Sequence, residues 1–89
     1  MATLFVRHKV GNYAEWRKIY DAFDATRKSM GVTSDGVYQN EADANDITIY
    51  HEFASMDAAK KLVESSELAE AMKRAGVVGA PDIWFTQRT

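Results

Sequence analysis

Two histidines are the side chains of this chain best suited to moving protons at neutral pH, since an imidazole of ordinary pKa near 6.5 can both take and return one. His8 stands in LFVRHKV (4–10) and His51 in ITIYHEF (47–53), each where an alternating apolar pattern calls for an aliphatic residue. Enolisation, aldol-type cyclisation and activation of a phenol are the reactions open to such a pair. His51 is the expected base, and His8 is expected to orient a polar group of a substrate. Tyr20 shares a helical stripe with Trp16 and Phe23; its hydroxyl needs a partner when buried and can give a substrate a proton. Trp16 is expected as an apolar wall, because an aromatic-lined cleft with few polar groups is the usual form of a site for a planar organic ligand. The competing reading makes both histidines core-edge residues satisfied by a hydroxyl or a backbone carbonyl.

Other chemistries lack their residues. There is no cysteine and no H-x-H or H-x-x-x-H spacing, and no inward-pointing acid stands out, so no metal is expected. No cofactor is expected either: Gly76 and Gly79 do not complete a phosphate-binding G-x-G-x-x-G, and no P-loop or nucleophile elbow is present. With 11 basic and 13 acidic residues scattered along the chain, no basic stripe offers itself to nucleic acid. The opening MATLFVRHKV carries Arg7 inside a short apolar part and reads as neither signal peptide nor membrane span. A cytoplasmic protein without a membrane partner is expected.

The 89 residues read as one domain, 1–89, with no linker or repeat. Residues 3 to 10 alternate as a strand. Asn12 caps a helix, Glu15 completes a capping-box-like pair, and Gly31 ends that helix after Met30. VTSDGVYQN (32–40) and DITIYHEF (46–53) form a hairpin across the acidic turn EADAND. Ser55 caps a helical region over 56–75, which restarts at Ser66, and DIWFTQ (82–87) makes a fourth strand after the loop VVGAP, a possible gate. The order β-α-β-β-α-β is the ferredoxin-like pattern, an α+β fold with an antiparallel sheet in spatial order 4-1-3-2 and helices on one face.

Alternation then puts His8, His51, Ile49 and Phe53 under the helices. Pairing around Val6 and Tyr50 would set the histidines roughly 10 Å apart at about 3.4 Å per residue. The opposite face collects Phe5, Arg7, Tyr38, Tyr50, Glu52 and Trp84. Four aromatics on an uncovered sheet call for a second copy, with sheets packed face to face and Arg7–Glu52 pairing between them.

The string LFVRHKV…Y-x-x-W…ITIYHEF-x-x-x-x-A…W resembles the dimeric α/β-barrel superfamily, in particular the antibiotic-biosynthesis-monooxygenase-like and small cyclase-like proteins. The resemblance implies a homodimeric barrel with one cleft per protomer. It also implies a cofactor-independent oxygenase or cyclase acting on an aromatic or polyketide-like molecule, or a non-catalytic binding or dimerisation module of the same fold. Where the quinone-forming oxygenases line their cleft with an asparagine and a tryptophan of strand three, this chain has Ile49 and Phe53. Phe53 is therefore expected as a second apolar wall. Haem-degrading relatives use a helix histidine, and 56–75 contains none.

Overall fold

The strand Ala2–Val10 (β1) buries its even positions and exposes its odd ones from Phe5 onward, as an alternating sequence over a one-sided core must. A computed structural model describes all residues, 1–89. After β1 come helices Tyr13–Ala22 (α1) and Asp24–Ser29 (α2), strands Val32–Asn40 (β2) and Asp43–Phe53 (β3), helices Met56–Glu64 (α3) and Ser66–Arg74 (α4), and strand Val77–Gln87 (β4). The sheet is antiparallel in the order β2-β3-β1-β4, the expected 4-1-3-2 read from the other edge.

Local chemistry sets the boundaries. The Asn12 side chain accepts from the Glu15 N–H, Ser55 accepts from Ala58, and Gly31 takes a positive φ of 103° where the second helix must turn into β2. Four expectations change. The first helical region breaks at Phe23, which closes α1 and opens α2 with no side-chain cap. Ser65, not Ser66, caps α4, its hydroxyl accepting from Leu68 N–H. Most of the acidic EADAND belongs to β3, leaving Glu41 and Ala42 as the turn. VVGAP is strand rather than gate: Val77 and Val78 pair with Val10 and Lys9, while Gly79 to Pro81 bulge opposite His8, where a proline is tolerated and Gly79 has φ 73°.

The register also moves. Val6 pairs with Ile49, so Leu4 lies opposite His51 and His8 opposite Ile47. Antiparallel partners share a face, which Val6 and Tyr50 could not do. The histidines keep the same face but stand four β1 positions apart, about 13 Å along the sheet at roughly 3.3 Å per residue. On the open face Arg7 is held within its own chain: Nε and Nη2 donate to the two carboxylate oxygens of buried Asp46 at 3.0 and 2.6 Å. That fork ties Arg7 to its own chain while leaving its side chain half exposed on the open face.

Two buried clusters fill the space between sheet and helices. One joins Leu4, Val6, Phe53 and Leu62; the other joins Val10, Trp16, Tyr20, Ile47 and Ile49. No helix is long and apolar enough to cross a membrane.

Candidate active site

Where the two clusters meet, a cavity of about 50 Å³ lies between sheet and helices, and both histidines line it. Twelve of its 15 lining residues are hydrophobic, so the few polar groups there decide its chemistry.

The wall from α1 is an aromatic stack set by helical spacing. Tyr13, Trp16 and Tyr20 fall at i, i+3 and i+7, with ring centroids 5.9 Å apart for the first pair and 4.9 Å for the second. Trp16 meets His8 edge-on at 5.7 Å, and Tyr20 lies 6.2 Å from the His51 ring. Continuing the stripe past Tyr20 and Phe23 brings Arg27 of α2 into the interior. Only 3 % exposed, it holds its guanidinium 3.7 Å from the Tyr20 ring centroid and donates to the Tyr20 carbonyl.

From the sheet side, Asp35 of β2 pairs with His51 across the strands and so shares its face. Exposed at the edge strand and outside the cavity lining, it is an acid on the helix side of the sheet that the sequence did not reveal. The Tyr20 hydroxyl donates to Asp35 Oδ2 at 2.5 Å, while its oxygen sits 3.5 Å from His51 Nε2. With its own proton directed to Asp35, that oxygen can only accept, which assigns the imidazole proton to Nε2 and leaves Nδ1 with a free lone pair. His51 Nδ1 has no hydrogen-bond partner, nor does either ring nitrogen of His8. No three His, Cys, Asp or Glu side chains come together as metal ligands.

Burial governs the protonation states. It pushes the His51 pKa down to about 4, with the Arg27 charge adding to the effect and Asp35 opposing it. Burial lowers the His8 pKa as well. The Tyr20 phenol is raised, first by burial and then by its hydrogen bond to Asp35. At neutral pH the cavity thus holds two uncharged imidazoles and an un-ionised phenol.

Of the residues anticipated for the site, His8, Trp16, Tyr20 and His51 line this cavity together. Phe53 does not: fully buried beside Ala2 and Val32, its paired residues at the strand end, it packs in the Leu4–Leu62 cluster without reaching the cavity. Arg27 and Asp35 are the polar residues that sequence reasoning missed. A groove of about 270 Å³ opens beside the cavity between the first helical pair and α4; the two share Ile19 and Phe23 as a wall.

A ferredoxin-like antiparallel sheet with helices on one face is the fold of the antibiotic-biosynthesis-monooxygenase-like proteins, and solved structures of that kind superpose on nearly the whole chain. An antibiotic biosynthesis monooxygenase matches with TM-score 0.77 at 10 % identity, covering 100 % of this chain and 99 % of that one. SnoaB of Streptomyces nogalater, a cofactor-independent oxygenase, matches with TM-score 0.76 at 13 % identity over 99 % and 94 % of the two chains. A proposed antibiotic biosynthesis monooxygenase from Bordetella bronchiseptica reaches TM-score 0.84 at 12 % identity over 99 % and 96 %. No family model and no curated protein matches the sequence. At these identities the likeness is one of fold.

Proposed function

We propose that this protein works as a homodimer on a hydroxylated aromatic or polyketide-like small molecule, by acid–base chemistry, as a cofactor-independent monooxygenase or cyclase. The observation that carries the reading is His51: a buried, neutral imidazole on the wall of an apolar cavity, its Nδ1 without a partner and its Nε2 backed by Tyr20 and Asp35. SnoaB, of the same fold, is a cofactor-independent oxygenase, which supports the choice of chemistry.

In this reading Nδ1 takes a proton from the substrate. The imidazolium keeps its Nε2 proton toward Tyr20, whose hydroxyl leans on the Asp35 carboxylate, so the new positive charge meets an anion through one phenol. A base with a pKa of about 4 takes protons only from acidic groups, which favours a phenol or an enolised diketone over a simple ketone. The substrate anion then has two outlets. Reaction with dioxygen converts a phenol to a quinone, one O2 consumed and one water released, with the imidazolium's proton leaving in that water; attack on a carbonyl carbon of the same molecule closes a ring, and the imidazolium returns its proton to the resulting oxygen. An aromatic ligand needs more than 50 Å³, and rotation of Phe23 at the α1–α2 break would join cavity to groove.

Oxygen uptake and quinone absorbance are to be followed with a panel of naphthols, and ring closure with diketones. His51→Asn is expected to lower the rate about 100-fold while the protein stays folded, the lower end of what a positioned base contributes. Absence of turnover across the panel, or full activity in the variant, overturns the enzymatic reading; saturable binding without turnover leaves a ligand-binding module.

The dimer rests on the open sheet face. Trp84, Phe5 and Tyr50 stand side by side across β4, β1 and β3, Gly36 continues the row on β2 where a Cβ would collide with the Tyr50 ring, and Tyr38 is 62 % exposed. An apolar row across every strand is more than a soluble monomer usually leaves uncovered. Trp84→Arg is expected to shift light-scattering mass from two chains to one at micromolar concentration. A wild-type monomer under the same conditions excludes this interface.

A further inference from the structure

We propose that Arg27 makes the cavity an oxyanion-holding site, its Nε–H receiving the oxygen of a phenol- or enol-type ligand. The inference rests on the reading of His51 as the group that takes the ligand's proton. It adds the half of the chemistry that His51 cannot supply.

An arginine on an apolar helix stripe is an expensive choice, since an aliphatic side chain would fill the space without a charge to neutralise. The structure shows what holds this one. Nη1 donates to the Tyr20 carbonyl, Nη2 donates to Asp24 Oδ1 at 3.2 Å and stands 3.8 Å from Asp35 Oδ2, and the Tyr20 ring lies against the guanidinium. Its two terminal nitrogens are thereby anchored. Nε, buried in a residue that lines the cavity, has no acceptor. A guanidinium stays charged at any pH the protein meets, and one fixed on several sides needs no reorganisation to receive a negative charge.

The missing partners are complementary. Nε of Arg27 lacks an acceptor and Nδ1 of His51 lacks a donor, and both residues line one cavity. A ligand hydroxyl admitted between the two would satisfy both, its proton toward His51 and its oxygen toward Arg27. If the proton crosses to Nδ1, the charge left on oxygen already faces the guanidinium. A carboxylate has no proton to offer His51, and Arg27 already stands 3.8 Å from the Asp35 carboxylate, so phenols and enols are the class selected.

p-Nitrophenol tests this without turnover, because its visible band reports the phenolate. An apolar cavity with no positive donor raises the midpoint of a bound phenol; a cavity in which Arg27 donates to the oxygen lowers it. The bound midpoint is expected to fall by about one unit or more below that of the free dye, which Arg27→Met should abolish; benzoate should compete poorly. Should that variant fail to fold, Arg27→Lys keeps a charge, loses the Nε–H, and is expected to give a smaller shift. A bound midpoint at or above the free value, or no saturable binding, overturns the proposal. Phenolate held without oxygen uptake leaves Arg27 in place and removes the oxygenase reading, whereas uptake with an upward-shifted dye does the reverse.

Discussion

Phe53→Ala is expected to reduce the free energy of unfolding by about 3–5 kcal/mol, because it removes a fully buried aromatic ring from a site with little freedom to collapse. Phe53 ends β3, with Ala2 and Val32 as its strand neighbours, and shares a cluster with Leu4, Ala59 and Leu62; the turn at Gly31 closes over the ring. Two strands, a turn and a helix would all have to shift inward to fill the void. In a domain of this size the loss is a large share of a total of about 5–15 kcal/mol. Urea unfolding is the measurement, with Phe53→Leu, expected to cost under about 1.5 kcal/mol, as the volume-conserving control. Under folding conditions Phe53→Ala should still bind p-nitrophenol, since the ring does not line the cavity. A loss below about 1 kcal/mol, or loss of binding in folded protein, would return Phe53 to the site wall.

That contrast marks what the sequence could convey. Alternation in β1 and β3 assigns faces, and it correctly put His8, His51 and Phe53 beneath the helices. Period two says nothing about which end of a strand lies under which helix, and that decides whether a buried aromatic lines a cavity or fills a core. Register suffers in the same way: it is set by turns and bulges rather than by the pattern itself, and the Val6–Tyr50 pairing violated the alternation used to choose it. Arg27 and Asp35 were legible in principle. Tyr20, Phe23 and Arg27 keep helical spacing on one stripe, and with Tyr38 outward the period of β2 turns Asp35 inward, directly beside His51. Each passed unnoticed because a lone charged residue reads as surface until the period is carried through it. The break at Phe23 had no such signal, since neither glycine nor proline interrupts that helix.

Acidification from pH 7 to pH 4 is expected to remove about 3 kcal/mol of stability through His51 alone, at about 1.4 kcal/mol per pKa unit. The folded protein holds this imidazole unprotonated down to about pH 4, while the unfolded chain takes up the proton near its ordinary pKa of 6.5. Unfolding therefore binds a proton throughout that interval. The stabilising contribution is complete above pH 6.5 and disappears as pH falls toward 4. His8 is also lowered by burial and acts in the same direction. Asp24 and Asp46, each held below the ordinary 3.8 chiefly by a basic partner, begin to lose their contributions only below about pH 5, so the window between 6.5 and about 5 belongs to the histidines. Urea midpoints at fixed protein concentration should fall steeply across it. Above about pH 5, the fall should shrink in His51→Asn to the part due to His8, and in the double variant with His8→Asn it should vanish. A wild-type midpoint constant between pH 6.5 and 4, or an unchanged slope in His51→Asn, would mean that His51 is not buried neutral. The burial that makes acid costly also keeps the imidazole in its proton-accepting form at neutral pH, so the slope and the dye titration report one arrangement of His51, Tyr20, Asp35 and Arg27 from two directions.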